Sequence, residues 1–224
     1  MRARDGTPAH HFPEEMLLDY VAGTLAEAPA ILVATHLSLC PSCMTAAAEY
    51  KALGGDLLGA LEPPSPDSDA LESASDRRVE EEEAPVEERM SGREDALPAP
   101  LAAYLGDELA KLAWQFLAPG IEQVALRPRR GAAGEVWPEG GEVLLVRLAP
   151  GAAAPRHTHR GIEATVIVQG GFSDETGQYD LGDAWIVDAT VTHGPVALPG
   201  EDCLCLVYLD APLMPVGEFH VPSI

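Results

Sequence analysis

Basic residues are scarce in this chain. Its 224 residues carry 14 Lys and Arg against 36 Asp and Glu, a formal net charge of −22. Nucleic acids and anionic bilayer surfaces are themselves negative, so this balance argues against either as a direct partner and is compatible with a basic protein. Long apolar runs are also missing. None reaches the roughly 18 residues that a membrane-spanning helix needs, and no apolar segment follows Met1-Arg-Ala-Arg-Asp-Gly as a secretory leader would require. Both absences point to the cytoplasm. Cysteine is sparing too, with four in the chain. In a reducing compartment such thiols serve metals or redox chemistry rather than structural disulfides. What is abundant is apolar content, 46% of residues, enough for a real core in one large or two small domains.

The densest chemistry lies between Gly151 and Gly170. His157 and His159 are two apart and Glu163 follows four later. Side chains alternate faces along a strand, so these three share a parity and can enter one cavity. Imidazole nitrogen and carboxylate oxygen suit divalent zinc, iron, manganese, copper or nickel. A further strand-like run from Gly182 ends in His193, which completes a ligand set of three His and one Glu. The stretch resembles the first cupin motif, G-x5-H-x-H-x3-E-x6-G, at Gly151, His157, His159, Glu163 and Gly170. The second cupin motif is matched at Gly182 and His193, while Asp188, Thr190 and Ala197 stand where Pro, Gly and Asn are usual. The bland alternative is an ordinary strand pair with surface histidines.

Residues 10 to 61 read as three helices. The first follows Pro13-Glu14-Glu15 and ends at Gly23; the second covers about Ala28 to Leu39; the third runs from Pro41 through Leu58. His36 and Cys40 are four apart, hence on one helical face, and Cys43 completes a C-x2-C step around Pro41. These three donors have the softness that suits zinc. The fourth is sought upstream, with His11 the best candidate and adjacent His10 open. The alternatives are a redox pair, though no βαβ pattern surrounds it, or two buried cysteines beside an incidental histidine. The four donors at this spacing, with Tyr20-Val21-Ala22-Gly23 and Val33-Ala34-Thr35 around them, are similar to the zinc-binding anti-sigma domain.

From Glu62 to about Pro100 prolines and the run Glu80 to Glu83 replace apolar residues, the composition of a linker. One weak helix fits roughly Asp69 to Glu83. After Leu101, itself the start of one or two helical turns, six apolar runs separated by Gly and Pro predict strands at 114–117, 121–126, 143–148, 164–168, 184–187 and 203–209. No helix intervenes, which suggests an antiparallel double-sheet barrel. Cys203 and Cys205 share a face of the last run. They serve either as small core hydrophobes or as interior thiols near the metal that sense oxidant.

The whole chain therefore resembles a ChrR-type anti-sigma factor. The expected fold is a small all-α zinc-binding domain (1–62, extended by a short helix to about 83), an acidic Pro-rich linker (63–100), and an all-β cupin of the double-stranded β-helix or jelly-roll type (101–224). The resemblance implies zinc on His11, His36, Cys40 and Cys43, and a second metal on His157, His159, Glu163 and His193. That second ion is expected to be zinc, with iron, manganese or nickel as alternatives. It further implies that the first domain sequesters an extracytoplasmic-function sigma factor. The cupin then releases it when an oxidant such as singlet oxygen arrives, with no catalytic residues. The competing class is a metal-dependent cupin dioxygenase or isomerase with a helical docking module.

Overall fold

The structure, a computed structural model, describes residues 7–61, 97–106, 109–128 and 141–217. The weak helix expected at 69–83 lies outside these residues. Three helices open the chain: α1 (Glu14–Ala22), α2 (Glu27–Leu39) and α3 (Pro41–Gly59). Acidic Glu14 and Glu15 occupy the first turn of α1, where they favour the positive end of the helix dipole. Pro41 starts α3, a position at which its missing N–H costs nothing. Between α2 and α3 only Cys40 is non-helical, with φ −120° and ψ 99°, so the chain turns a sharp corner there. Among the described residues no single helix is long and apolar enough to cross a membrane.

Helix α2 is apolar on more than one side, the pattern of a helix covered all round. Ala28, Ile31, Leu32, Val33, Thr35 and His36 are all buried. One side meets α1 and α3; another meets α4 (Ala99–Leu105), whose Leu101 is fully buried; a third lies on the β-domain. Leu97, within the stretch expected as linker, is buried in the same cluster. Tyr104 at the end of α4 donates to Glu27 at the start of α2, at 2.8 Å.

The six runs legible in the sequence form one antiparallel sheet. They are β1 (Gln115–Ala118), β2 (Ile121–Ala125), β3 (Glu142–Leu148), β5 (Glu163–Gln169), β8 (Ala184–Val187) and β11 (Cys203–Leu209), in the order β1-β2-β3-β11-β5-β8. Two smaller sheets complete the barrel from strands of two or three residues. One holds β10 (Val196–Ala197), β6 (Gly171–Ser173) and β7 (Gln178–Asp180). The other holds β12 (Met214–Pro215), β4 (His157–Thr158) and β9 (Thr192–His193). The result is a cupin-type β-domain behind a helical layer.

Alternation along the central strands divides the core in two. Ala164 and Val166 of β5 with Leu206 and Tyr208 of β11 face outward and pack with Leu32 and Val33 of α2. Ile167 with Cys203, Cys205, Val207 and Leu209 faces the barrel interior, beside Phe172 and Tyr179. The two halves of the chain thus share one continuous apolar cluster.

Candidate metal centres

The corner at Cys40 builds the first cluster. His36 sits in the last turn of α2, Cys40 follows it by one turn, and Cys43 lies in the first turn of α3. His11 arrives on the extended segment before α1, with its Nδ1 3.4 Å from Cys40 Sγ and 3.3 Å from Cys43 Sγ. One donor atom from each of these four residues lies within 4.8 Å of the others. The adjacent His10 turns away, its Nδ1 3.1 Å from Asp183 Oδ2. Of the two histidines left open by the sequence, His11 is the one in the cluster.

The protonation pattern suits a cation. His36 Nδ1 is 2.8 Å from the carbonyl oxygen of Gly182, which can only accept, so Nδ1 carries the hydrogen. That leaves the His36 Nε2 lone pair buried and without a hydrogen-bond partner. Such an orphan costs about 1–3 kcal/mol, a penalty that ligation removes. Burial, opposed by the Gly182 carbonyl, brings the His36 pKa down to about 4, so the ring is neutral near pH 7. Burial and then the neighbouring Cys40 push the Cys43 thiol up to about 12. The Cys43 thiol therefore ionises near neutrality only when a cation compensates it. Two sulfurs and two imidazoles make a donor set of the kind that suits zinc.

The second cluster stands in the barrel. β4 and β9 pair so that His157 is directly opposite His193, and Glu163 begins β5. All three histidines have Nδ1 occupied: His157 against Pro155 O at 2.8 Å, His159 against Asp188 O at 3.2 Å, and His193 against Asp174 Oδ2 at 2.8 Å. Their Nε2 atoms turn inward toward Glu163 Oε2, at 3.5, 2.9 and 3.9 Å respectively. The four side chains are buried, and His157 Nε2 has no hydrogen-bond partner. Burial raises the Glu163 pKa, but His157 and His159 outweigh it and bring it down to about 2. Burial likewise lowers that of His157, and the Glu163 carboxylate with the Pro155 carbonyl outweighs it, for a net rise. One buried carboxylate facing three imidazole lone pairs is a set that can hold a divalent cation.

A family model described as the ChrR cupin-like domain matches residues 106–212. A Cereibacter sphaeroides protein named anti-sigma-E factor ChrR is 38% identical over 209 residues, spanning 92% of this chain and 92% of that protein. The chain belongs to the ChrR family. Its fold is similar to the crystal structure of Rhodobacter sphaeroides SigE in complex with the anti-sigma ChrR, with a TM-score of 0.72, 37% identity, and coverage of 91% of this chain and 100% of that one.

Within this ChrR-family chain, the structure brings all eight residues singled out by sequence into two clusters of four. Sequence reasoning missed the residues behind them. Asp174 holds His193 from the β6–β7 turn, and no motif spacing marks it. Gly182 and Asp183 lie beside the first cluster although both belong to the second cupin motif. Cys203 and Cys205, fully or almost fully buried, lie on the interior face with their sulfurs 3.4 Å apart. The Cys203 sulfur as hydrogen-bond partner, then burial, raise the Cys205 pKa well above the ordinary thiol range.

Proposed function

We propose that this chain is an anti-sigma factor. Its N-terminal helices sequester an extracytoplasmic-function sigma factor, and its cupin domain governs release in response to an oxidant such as singlet oxygen. The observation that carries this reading is the end-to-end match to a protein named anti-sigma-E factor, 38% identical across both halves of the chain. A solved relative is in complex with a sigma factor, which gives the partner its class.

Several features support the details. In the helical part (1–62), His11, His36, Cys40 and Cys43 hold zinc. A segment of this size has a thin core, so the ion supplies a large share of its folding free energy. In the cupin part (101–224), His157, His159, Glu163 and His193 hold a second ion, zinc by first choice. Four protein ligands leave a tetrahedral zinc no open position for substrate, which favours regulation over turnover. The acidic segment expected as a linker at 63–100 joins the two, and its end, from Leu97 into α4, packs against α2. The absence of a long apolar helix among the described residues is compatible with a cytoplasmic protein that meets its sigma factor there. Beyond Tyr50, α3 presents Leu53, Leu57 and Leu58 to solvent at 58, 63 and 71% exposure, followed by Leu61 at 67%. An apolar row of this kind suits the surface of a protein partner.

The test is co-purification of the full chain with an extracytoplasmic-function sigma factor from the same source, with and without a zinc chelator. Tight binding that the chelator abolishes is the expected result. No binding in either state would sink the assignment and return the cupin to consideration as an enzyme.

A further inference from the structure

Three consecutive residues of the second cupin motif hold the N-terminal segment. The Gly182 carbonyl accepts the Nδ1 hydrogen of His36 at 2.8 Å. The Asp183 carboxylate, on a residue 3% exposed, accepts the backbone N–H groups of Ala9 at 2.6 Å and His10 at 3.0 Å through Oδ1. Its Oδ2 accepts the Asp180 N–H at 2.9 Å and lies 3.1 Å from His10 Nδ1. The Ala184 N–H donates to the His10 carbonyl at 3.0 Å. His11, a member of the first cluster, is the next residue along.

Position 182 is closed to any side chain from the same direction. Its φ is +86°, in the region that favours glycine, and an added Cβ would stand 2.7 Å from Pro8 Cγ and 3.4 Å from Leu39 Cβ. The absence of a side chain is what lets the Gly182 carbonyl reach His36. Two of the four donors of the first cluster are therefore fixed from the cupin: His36 directly, and His11 through the clamp on Ala9 and His10.

We propose that Gly182 and Asp183 are positioning residues of the N-terminal metal centre, which reaches its full metal affinity only while this cupin turn is docked against it. The inference rests on the reading of His11, His36, Cys40 and Cys43 as a metal centre. A histidine ligand gains orientation, the correct tautomer and basicity from a partner on its other nitrogen. Here that partner is supplied by the other half of the chain. Linkage then makes the effect reciprocal: metal in the first centre strengthens docking by the same factor that docking strengthens metal. The turn leads straight into β8, whose Trp185 ring lies 4.8 Å from the His193 ring and beyond which the Asp188 carbonyl holds His159. A disturbance of the cupin ligands is thus one short strand away from His36.

The test uses full-length protein loaded with Co²⁺ and then titrated with Zn²⁺. Of the four cysteines only Cys40 and Cys43 belong to a donor cluster, so thiolate-to-cobalt charge-transfer absorption is assigned to the first centre. A C40S/C43S double variant checks that Cys203 and Cys205 contribute none of it. If the wild type lacks that absorption, or a C40S/C43S double variant retains it, the metal-centre reading itself fails. With the signal in hand, Zn²⁺ affinity is compared among wild type, G182A, D183N and I121A, the last a barrel-core change away from the turn. In D183N both oxygens that accept N–H groups cannot be kept, because either amide orientation sets N–H against N–H. G182A and D183N are expected to lose about tenfold or more in affinity at that centre, the cost typical of partners behind the ligands, while I121A stays near wild type. Unchanged affinity in G182A and D183N, or an equal loss in I121A, overturns the proposal. Should G182A fail to fold, the near-isosteric D183N alone decides.

Discussion

Asp174 Oδ2 and His193 Nδ1 lie 2.8 Å apart, and both side chains are closed to solvent. The other carboxylate oxygen, Oδ1, accepts Thr176 N, Thr176 Oγ1 and Gly177 N, so the β6–β7 turn holds the group rigidly. Burial opposes ionisation of Asp174, but His193 and Thr176 outweigh it and keep its pKa below the usual range. In D174N the retained oxygen is claimed by the Thr176 and Gly177 donors, leaving the amide –NH₂ to face His193. That forces the imidazole hydrogen onto Nε2, the atom turned toward the other ligands. The cupin centre of D174N should bind metal about 10–100-fold more weakly, measured by chelator competition, with the thiolate centre unaffected. Wild-type affinity in D174N would show that the carboxylate does not set the tautomer.

Acid should unfold the metal-free helical part in a defined window. The His36 pKa is depressed from 6.5 to about 4 in the folded chain, with burial as the main cause. The stability it contributes is therefore fully present above pH 6.5 and lost as pH falls through 4. Its size is about 3 kcal/mol, because each tenfold difference in proton affinity between the folded and unfolded chain is worth about 1.4 kcal/mol. The cupin behaves differently on both sides of this window. His157, with a raised pKa, stabilises below its unfolded value, and Glu163 loses its contribution only between its ordinary 4.5 and about 2. Far-UV circular dichroism weighted to the helices, followed from pH 7 to 4 without metal, should show helix lost while the β-signal persists. A helical signal constant to pH 4 would contradict the assignment.

The parts of the molecule legible in sequence share a property: their partners are close along the chain or obey a fixed period. His36, Cys40 and Cys43 are joined by helical spacing. His157, His159 and Glu163 are close in sequence, but strand parity is not what joins them. His157 lies on β4, Glu163 opens β5 in another sheet, and His159 sits in the connection between them. The six strands read from apolar runs are those of the large sheet, four to seven residues each. The missed strands are two or three residues long, too short to carry a period, and they include the two that present His157 and His193. What stayed hidden is pairing over distance. Gly182 meets His36 across 146 positions, and Asp183 meets His10 across 173. No local rule foresees that a cupin turn completes the surroundings of a helical site.

Zinc binding at the first centre should strengthen with pH. Burial and the neighbouring Cys40 raise the Cys43 pKa from 9.0 to about 12 in the metal-free fold, so this thiol is protonated near neutrality and must lose its proton to ligate. The affinity should therefore rise by at least about tenfold per pH unit below the thiol pKa, since each released proton contributes one such factor. Competition titrations between pH 6.5 and 8.5, read at the thiolate-to-cobalt band, give the slope. A flat profile would mean that the thiols do not ligate. Without metal the same shift makes the fold lose stability as pH climbs from 9 toward 12, the reverse of the His36 effect.

Leucines on two faces of the helical layer separate folding from recognition. Leu32 of α2 is fully buried in the cluster that α2 shares with the β-domain. L32A should cost about 2–5 kcal/mol of stability, the range for a buried Leu→Ala change, and loosen the contact between the two halves. Leu57 is 63% exposed near the end of α3. L57A should leave stability within about 0.5 kcal/mol, as surface changes do. If the α3 row receives the sigma factor, however, L57A should weaken that complex by at least about 1 kcal/mol, the threshold that separates energetic contacts from neutral ones. Thermal melts and binding isotherms on the two variants measure the four quantities. Full-strength sigma binding by L57A would remove this row from the interface, because an exposed apolar side chain that neither folds the protein nor binds its partner has no energetic part in either.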